Sequence, residues 1–136
     1  MTVPLKAGAA YFAVVYAIGF LLGTARVLLL APLVGETVAV LCETPLILLA
    51  SWIAARWSST RFAVPAKLPP RLVMGGFAFG LLILGELAVS ILIFDRSLMG
   101  TVAAYRSPAG LLGLAAQSIF ALVPVAQAIL YRNKRP

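Results

Sequence analysis

Hydrophobic positions in this chain gather into four long runs, parted by short polar stretches that hold most of the prolines and charges. The runs cover about 7–30, 35–55, 72–94 and 109–130, each with the roughly 20 residues that ~30 Å of hydrocarbon requires. The pattern predicts an all-α chain with a single membrane domain over residues 1–136, folded as an integral membrane four-helix bundle. The first connection, Ala31-Pro32-Leu33-Val34, is short enough to make runs one and two a tight antiparallel hairpin. The second, from Ser58 to Arg71, is polar, basic and rich in proline. In the third, Leu98, Val102 and Tyr105 recur at helical spacing, which fits a short amphipathic helix on the surface; an irregular loop is the alternative. Ser107-Pro108 then reads as a helix start, with serine as cap and proline in the first turn.

Composition leaves little else. The chain is 62% hydrophobic and 11% charged, with a mean hydropathy of +1.05, whereas a soluble domain carries about 25% charged residues. A formal charge of +7 could suggest nucleic acid. The basic residues cluster instead at the ends of apolar runs, as topogenic signals do, and nucleic acid is rejected as a partner. The partner expected first is the lipid bilayer. The first run is about twice a normal signal-peptide core and lacks a convincing cleavage site, so it is read as a retained span.

Orientation follows from the same residues. Lys6, Arg56, Arg61, Lys67, Arg71, Arg132, Lys134 and Arg135 share one side if there are four spans; Arg96 and Arg106 lie on the other. The positive-inside rule then places both termini in the cytoplasm. Trp52, Trp57 and Tyr131 fall near the expected inner interface and Tyr105 near the outer one, as an aromatic belt would.

There is no histidine, and Cys42 is the single cysteine. Histidine–cysteine zinc sites, bis-histidine haem and CxxC exchange are excluded within one chain, and no cofactor is expected. Cys42 reads as a small buried apolar residue. Two GxxxG patterns, Gly19–Gly23 and Gly76–Gly80, offer flat faces for close helix approach. Packing within the chain is their plain reading, and homo-oligomerisation the sharper one.

Candidate chemistry lies in the rare charges. Arg26, Glu43 and Glu86 all fall inside apolar runs, where a charge costs roughly 2.5–3.5 kcal/mol on insertion scales. Counted from the outer ends, Glu43, Glu86 and Gln117 each lie about eight residues in, roughly 12 Å deep. Glu36 shares a helical face with Glu43 and could address Arg26 with it; Thr44 and Ser118 could add hydrogen bonds. One arginine against two deep carboxylates leaves a negative charge over, which calls for a proton or a bound cation. Arg26, Glu36, Glu43, Glu86 and Gln117 are therefore the candidate intramembrane polar site. Coupled transport of a small solute, carried out by an oligomer, is the functional expectation. The alternative is an accessory or assembly subunit of a larger membrane complex, whose polar layer is structural. Enzyme chemistry has little support, because no nucleophile stands beside a base.

The stretch Gly23-Thr-Ala-Arg-Val-Leu-Leu-Leu-Ala-Pro-Leu-Val-Gly-Glu36, followed by Leu41-Cys-Glu-Thr-Pro45 and Ser51-Trp52, resembles a group of small, uncharacterised bacterial inner-membrane proteins. The resemblance implies four spans and an inner-membrane location. It implies no activity, and no functional residue is carried over from it.

Overall fold

The computed structural model describes residues 2–93, 95 and 97–132, and every regular element among them is helical. In chain order these are α1 (Thr2–Ala25), a π-helical turn (Arg26–Leu30), α2 (Ala31–Val34), α3 (Glu36–Arg61), α4 (Leu68–Leu92), α5 (Leu98–Ala104) and α6 (Pro108–Arg132). Four helical stretches are long and apolar enough to cross a membrane: Thr2–Val34, Glu36–Arg61, Leu68–Leu92 and Pro108–Arg132. The expected ends of the third run at Phe94, with Arg96, Lys134 and Arg135, fall outside the described residues.

The first connection differs from expectation. Ala31–Val34 is helical rather than a loop, and the chain reverses at Gly35 alone, whose φ of 86° suits glycine. Proline at 32 accounts for the misreading. It has no N–H to give the carbonyl of Leu28, and here the helix absorbs it in a widened turn, with the Ala31 N–H reaching Arg26 O. Helix α3 likewise continues past Ala55 to Arg61. It closes when the Val64 N–H reaches back to Ser59 O at 2.8 Å, with Ala63 left-handed at φ 54°.

Helices α1, α3, α6 and α4 form a ring in that order, so α1 lies diagonally across from α6. The centre is built from small and aromatic residues, among them Ala7, Tyr11, Ala55, Met74, Ala78 and Phe120. Large aliphatic side chains point outward instead: Leu21, Leu33, Leu84 and Leu92 are 64–81% exposed. A soluble bundle buries its leucines. Here small residues bring the helices together, as they do where lipid is the solvent.

Polar groups tie the ring at its basic end. Pro124, inside α6, cannot donate to the carbonyl of Phe120. The Tyr11 hydroxyl takes that carbonyl at 2.7 Å, and the two rings stack at 4.3 Å. Ser58 Oγ donates to Ala7 O at 2.6 Å, and Gln127 Nε2 to Trp52 O at 2.7 Å. Arg71, expected at a loop border, is buried and donates to the carbonyls of Val64, Pro65 and Pro124. Its guanidinium joins the α3–α4 connection to α6.

The glycine faces also differ from expectation. No atom lies within 4 Å of a Cβ built on Gly76 or Gly80, and Gly23 is approached only by the Arg26 side chain. Gly19 makes an ordinary contact with Ile47. Close helix approach runs through Gly8 against Met74 O and through Gly75 against Ala121 O. A Cβ on Gly75 would lie 2.0 Å from that backbone oxygen, so α4 and α6 would have to part. Gly75→Ala should therefore destabilise the bundle by about 1–3 kcal/mol, as overpacked cores do. Its neighbour Gly76→Ala should have no such cost. Thermal unfolding of the two variants in one detergent checks the difference.

Candidate functional site

The acidic residues gather at the end opposite Arg71, two on α3, one on α4 and one in the connection that follows it. Glu43 is fifteen residues beyond Ser58 and Glu86 twelve beyond Met74, so both stand roughly 20 Å above the basic-end contacts. They share a height but not a neighbourhood.

Arg26 and Glu43 meet across the hairpin of α1 and α3. Arg26 Nε stands 2.5 Å from Glu43 Oε2, with the side chains 24% and 17% exposed. The contact is an ion pair rather than an aligned hydrogen bond, since Arg26 Nε finds no acceptor in hydrogen-bonding geometry. It is the only ion pair among the described residues. The π-turn begins at Arg26 itself, and such turns are frequent at functional sites. Glu36, expected to address Arg26 from the same face as Glu43, is exposed at the start of α3 and makes no ion pair with it.

Glu86 belongs to a second cluster. Its Oε2 accepts from the Tyr105 hydroxyl at 2.6 Å and its Oε1 from Gln117 Nε2 at 2.5 Å. Both donors are neutral. Burial, and then the hydrogen bond to Glu86 and the carboxylate charge, push the Tyr105 phenol well above its ordinary range, so it remains a donor at neutral pH. On the other side, the Tyr16 hydroxyl donates to Gly85 O at 3.2 Å, while Ser90 and Thr101 share a hydrogen bond of 2.9 Å. Glu86 and Ser90 thus hold α5 to α4. The far end of the Gln117 amide is different: Oε1 is buried and meets no donor among the described residues.

The short surface helix is present as α5, capped by Ser97, whose Oγ accepts from the Gly100 N–H at 3.0 Å. It turns Thr101 and Tyr105 toward the bundle and leaves Leu98 and Val102 exposed. Ser107 caps α6 as its sequence suggests. Thr44 and Ser118, expected to serve the polar layer, bond back to Val40 O and Leu114 O of their own helices. Cys42, expected to be buried, is exposed on the hairpin, because the seam of α1 and α3 there is filled by Ala39 and Glu43.

The sequence placed Arg26, Glu43, Glu86 and Gln117 in one layer, whereas the structure sets Arg26 against Glu43 and Gln117 against Glu86 in two clusters. Sequence reasoning missed Tyr105 as a partner, placing it in an aromatic belt. A helical spacing of four from Thr101 was the available signal, since the two side chains face the same way. No group of three or more histidine, cysteine, aspartate or glutamate residues that could hold a metal occurs among the described residues.

Compared with known proteins, the chain matches no family model, no curated protein and no solved structure. The site must be read from its own geometry.

If the two clusters are separate, a double-mutant cycle between Arg26→Gln and Glu43→Gln should return a coupling of about 0.5–3 kcal/mol. The cycle between Arg26→Gln and Glu86→Gln should return none. Unfolding midpoints in a single detergent give both values.

Proposed function

We propose that this is a multi-pass protein of a bacterial inner membrane, with both termini cytoplasmic, that couples a proton or a small cation to movement of a small solute. Glu86 is the group that carries the coupling charge. The observation behind this reading is the makeup of its cluster. Among the described residues Glu86 is met only by neutral donors, and the Gln117 oxygen beside it is buried without a donor. A carboxylate and an unmet acceptor in a low-dielectric layer draw in positive charge. Arg26 and Glu43 offset each other and act as a tie between α1 and α3, so among the described residues no cation pairs with Glu86.

Tyr105 gives this charge a mechanical consequence. When Glu86 gains a proton, the hydrogen bond from Tyr105 loses its charge assistance, which makes up about half of its strength. Helix α5, held by that bond and by Ser90–Thr101, is then less firmly seated over the outer end. Binding at Glu86 and opening of the outer surface are linked in this way.

A single ring of four helices encloses little room for a solute path, so the working unit is an oligomer. A second reading, an accessory or assembly subunit, draws on the open Gly76–Gly80 face of α4, which none of the described residues covers.

Infrared difference spectra of the protein in liposomes, recorded as pH is lowered, test the first reading. A protonated-carboxyl band should grow in the wild type and be missing from Glu86→Gln, while Glu43→Gln keeps it. Glutamine can still accept from Tyr105, so the variant should stay folded. A band that survives in Glu86→Gln, or no band in the wild type, contradicts the assignment.

A further inference from the structure

The basic end of α3 carries an open groove of about 500 Å³, lined by Trp52, Ile53, Arg56, Trp57, Thr60 and Arg61. A second groove of about 250 Å³ lies deeper along the seam of α3 and α6, lined by Leu48, Trp52, Ile119, Leu122, Val123 and Ala126. Trp52 borders both, so the two grooves meet at that side chain, a trough in two parts along α3.

Polarity changes sharply along it. The deep part is wholly apolar apart from the Trp52 indole. The shallow part presents two guanidinium groups and the Thr60 hydroxyl among two tryptophans. Arg56 is held in place, with its guanidinium carbon 4.4 Å from the centre of the Tyr131 ring; Arg61 lies 5.8 Å from that of Phe62. Neither arginine has an acidic partner among the described residues, whose one ion pair is Arg26–Glu43. All four acids, Glu36, Glu43, Glu86 and Asp95, lie toward the other end of the fold. No acid among the described residues offsets the positive charge at the trough's mouth.

We propose that this trough binds an anionic phospholipid, with its phosphate on Arg56 and Arg61 and an acyl chain along Leu48, Ile119 and Leu122. Guanidinium groups recognise phosphate through paired, charge-assisted hydrogen bonds. Basic pockets between membrane helices select anionic headgroups, and tryptophan settles at headgroup depth. A free anion would use the mouth alone and leave the apolar seam unoccupied. The assignment is independent of the chemistry at Glu86.

Trp52 and Trp57 are the two tryptophans of the chain, so their fluorescence reports on the trough alone. The full-length protein is reconstituted in phosphatidylcholine bilayers containing rising mole fractions of brominated phosphatidylglycerol or, separately, brominated phosphatidylcholine. The anionic quencher should reach half-quenching at about a tenfold lower mole fraction, given the attraction of two basic groups. R56Q/R61Q should bring the two curves together. K6Q/K67Q, which removes the same charge from the same end but outside the trough, should leave them apart. Excess inorganic phosphate at matched ionic strength should not displace the lipid. Equal quenching in the wild type overturns the proposal without recourse to any variant. So does a preference that survives R56Q/R61Q, one lost equally in K6Q/K67Q (a diffuse surface potential), or one removed by phosphate (a free-anion site).

Discussion

One hydroxyl group fixes the centre of this bundle. Pro124 deprives the carbonyl of Phe120 of its helical donor, and Tyr11 supplies one from the helix diagonally opposite. Where lipid replaces water, an unmet carbonyl costs several kcal/mol. Association of the helices gains nothing from hiding leucine, since lipid is as apolar as the side chain. A bond that satisfies a freed backbone group and spans the ring is therefore worth more than its count suggests. The stacked rings of Tyr11 and Phe120, the close contact of Gly75 with Ala121 and the seating of Arg71 on Pro124 all lie within two turns of it.

The consequence is a division of labour along the bundle axis. The basic half is closed by side-chain bonds to backbone carbonyls, from Tyr11, Ser58, Gln127 and Arg71. These partners carry no titratable acid and do not change with pH in the neutral range. The acidic half is held mainly between side chains: an ion pair in one seam and a carboxylate with two neutral donors in another, beside one bond from Tyr16 to Gly85 O. Such contacts depend on protonation and can be exchanged. A rigid basic end with an adjustable acidic end is the frame that the proposed uptake of charge at Glu86 requires.

Much of this was legible in the chain, for reasons that differ residue by residue. The four spans followed from length and hydropathy alone. Arg26 and Glu43 could be paired because opposite charges at membrane depth have few other options. Tyr11 was not legible, because a phenol in an apolar run looks like one more aromatic residue and its acceptor is a backbone atom that no sequence displays. The choice of Gly75 over Gly76 was equally hidden. Adjacent glycines point about 100° apart on a helix, and only the position of α6 decides which one is used. Pro32 misled in the opposite sense, since it reads as a helix breaker but is absorbed by a π-turn.

The central claim is that Tyr11 replaces the donor that Pro124 removes, and a double-mutant cycle tests it most directly. In the wild-type background, Tyr11→Phe leaves the carbonyl of Phe120 unmet and should cost about 1–3 kcal/mol of stability. In the Pro124→Ala background the helix regains its own N–H at that position, and the same substitution should cost almost nothing. An equal loss in both backgrounds would contradict the account, because Tyr11 would then stabilise the bundle by packing alone.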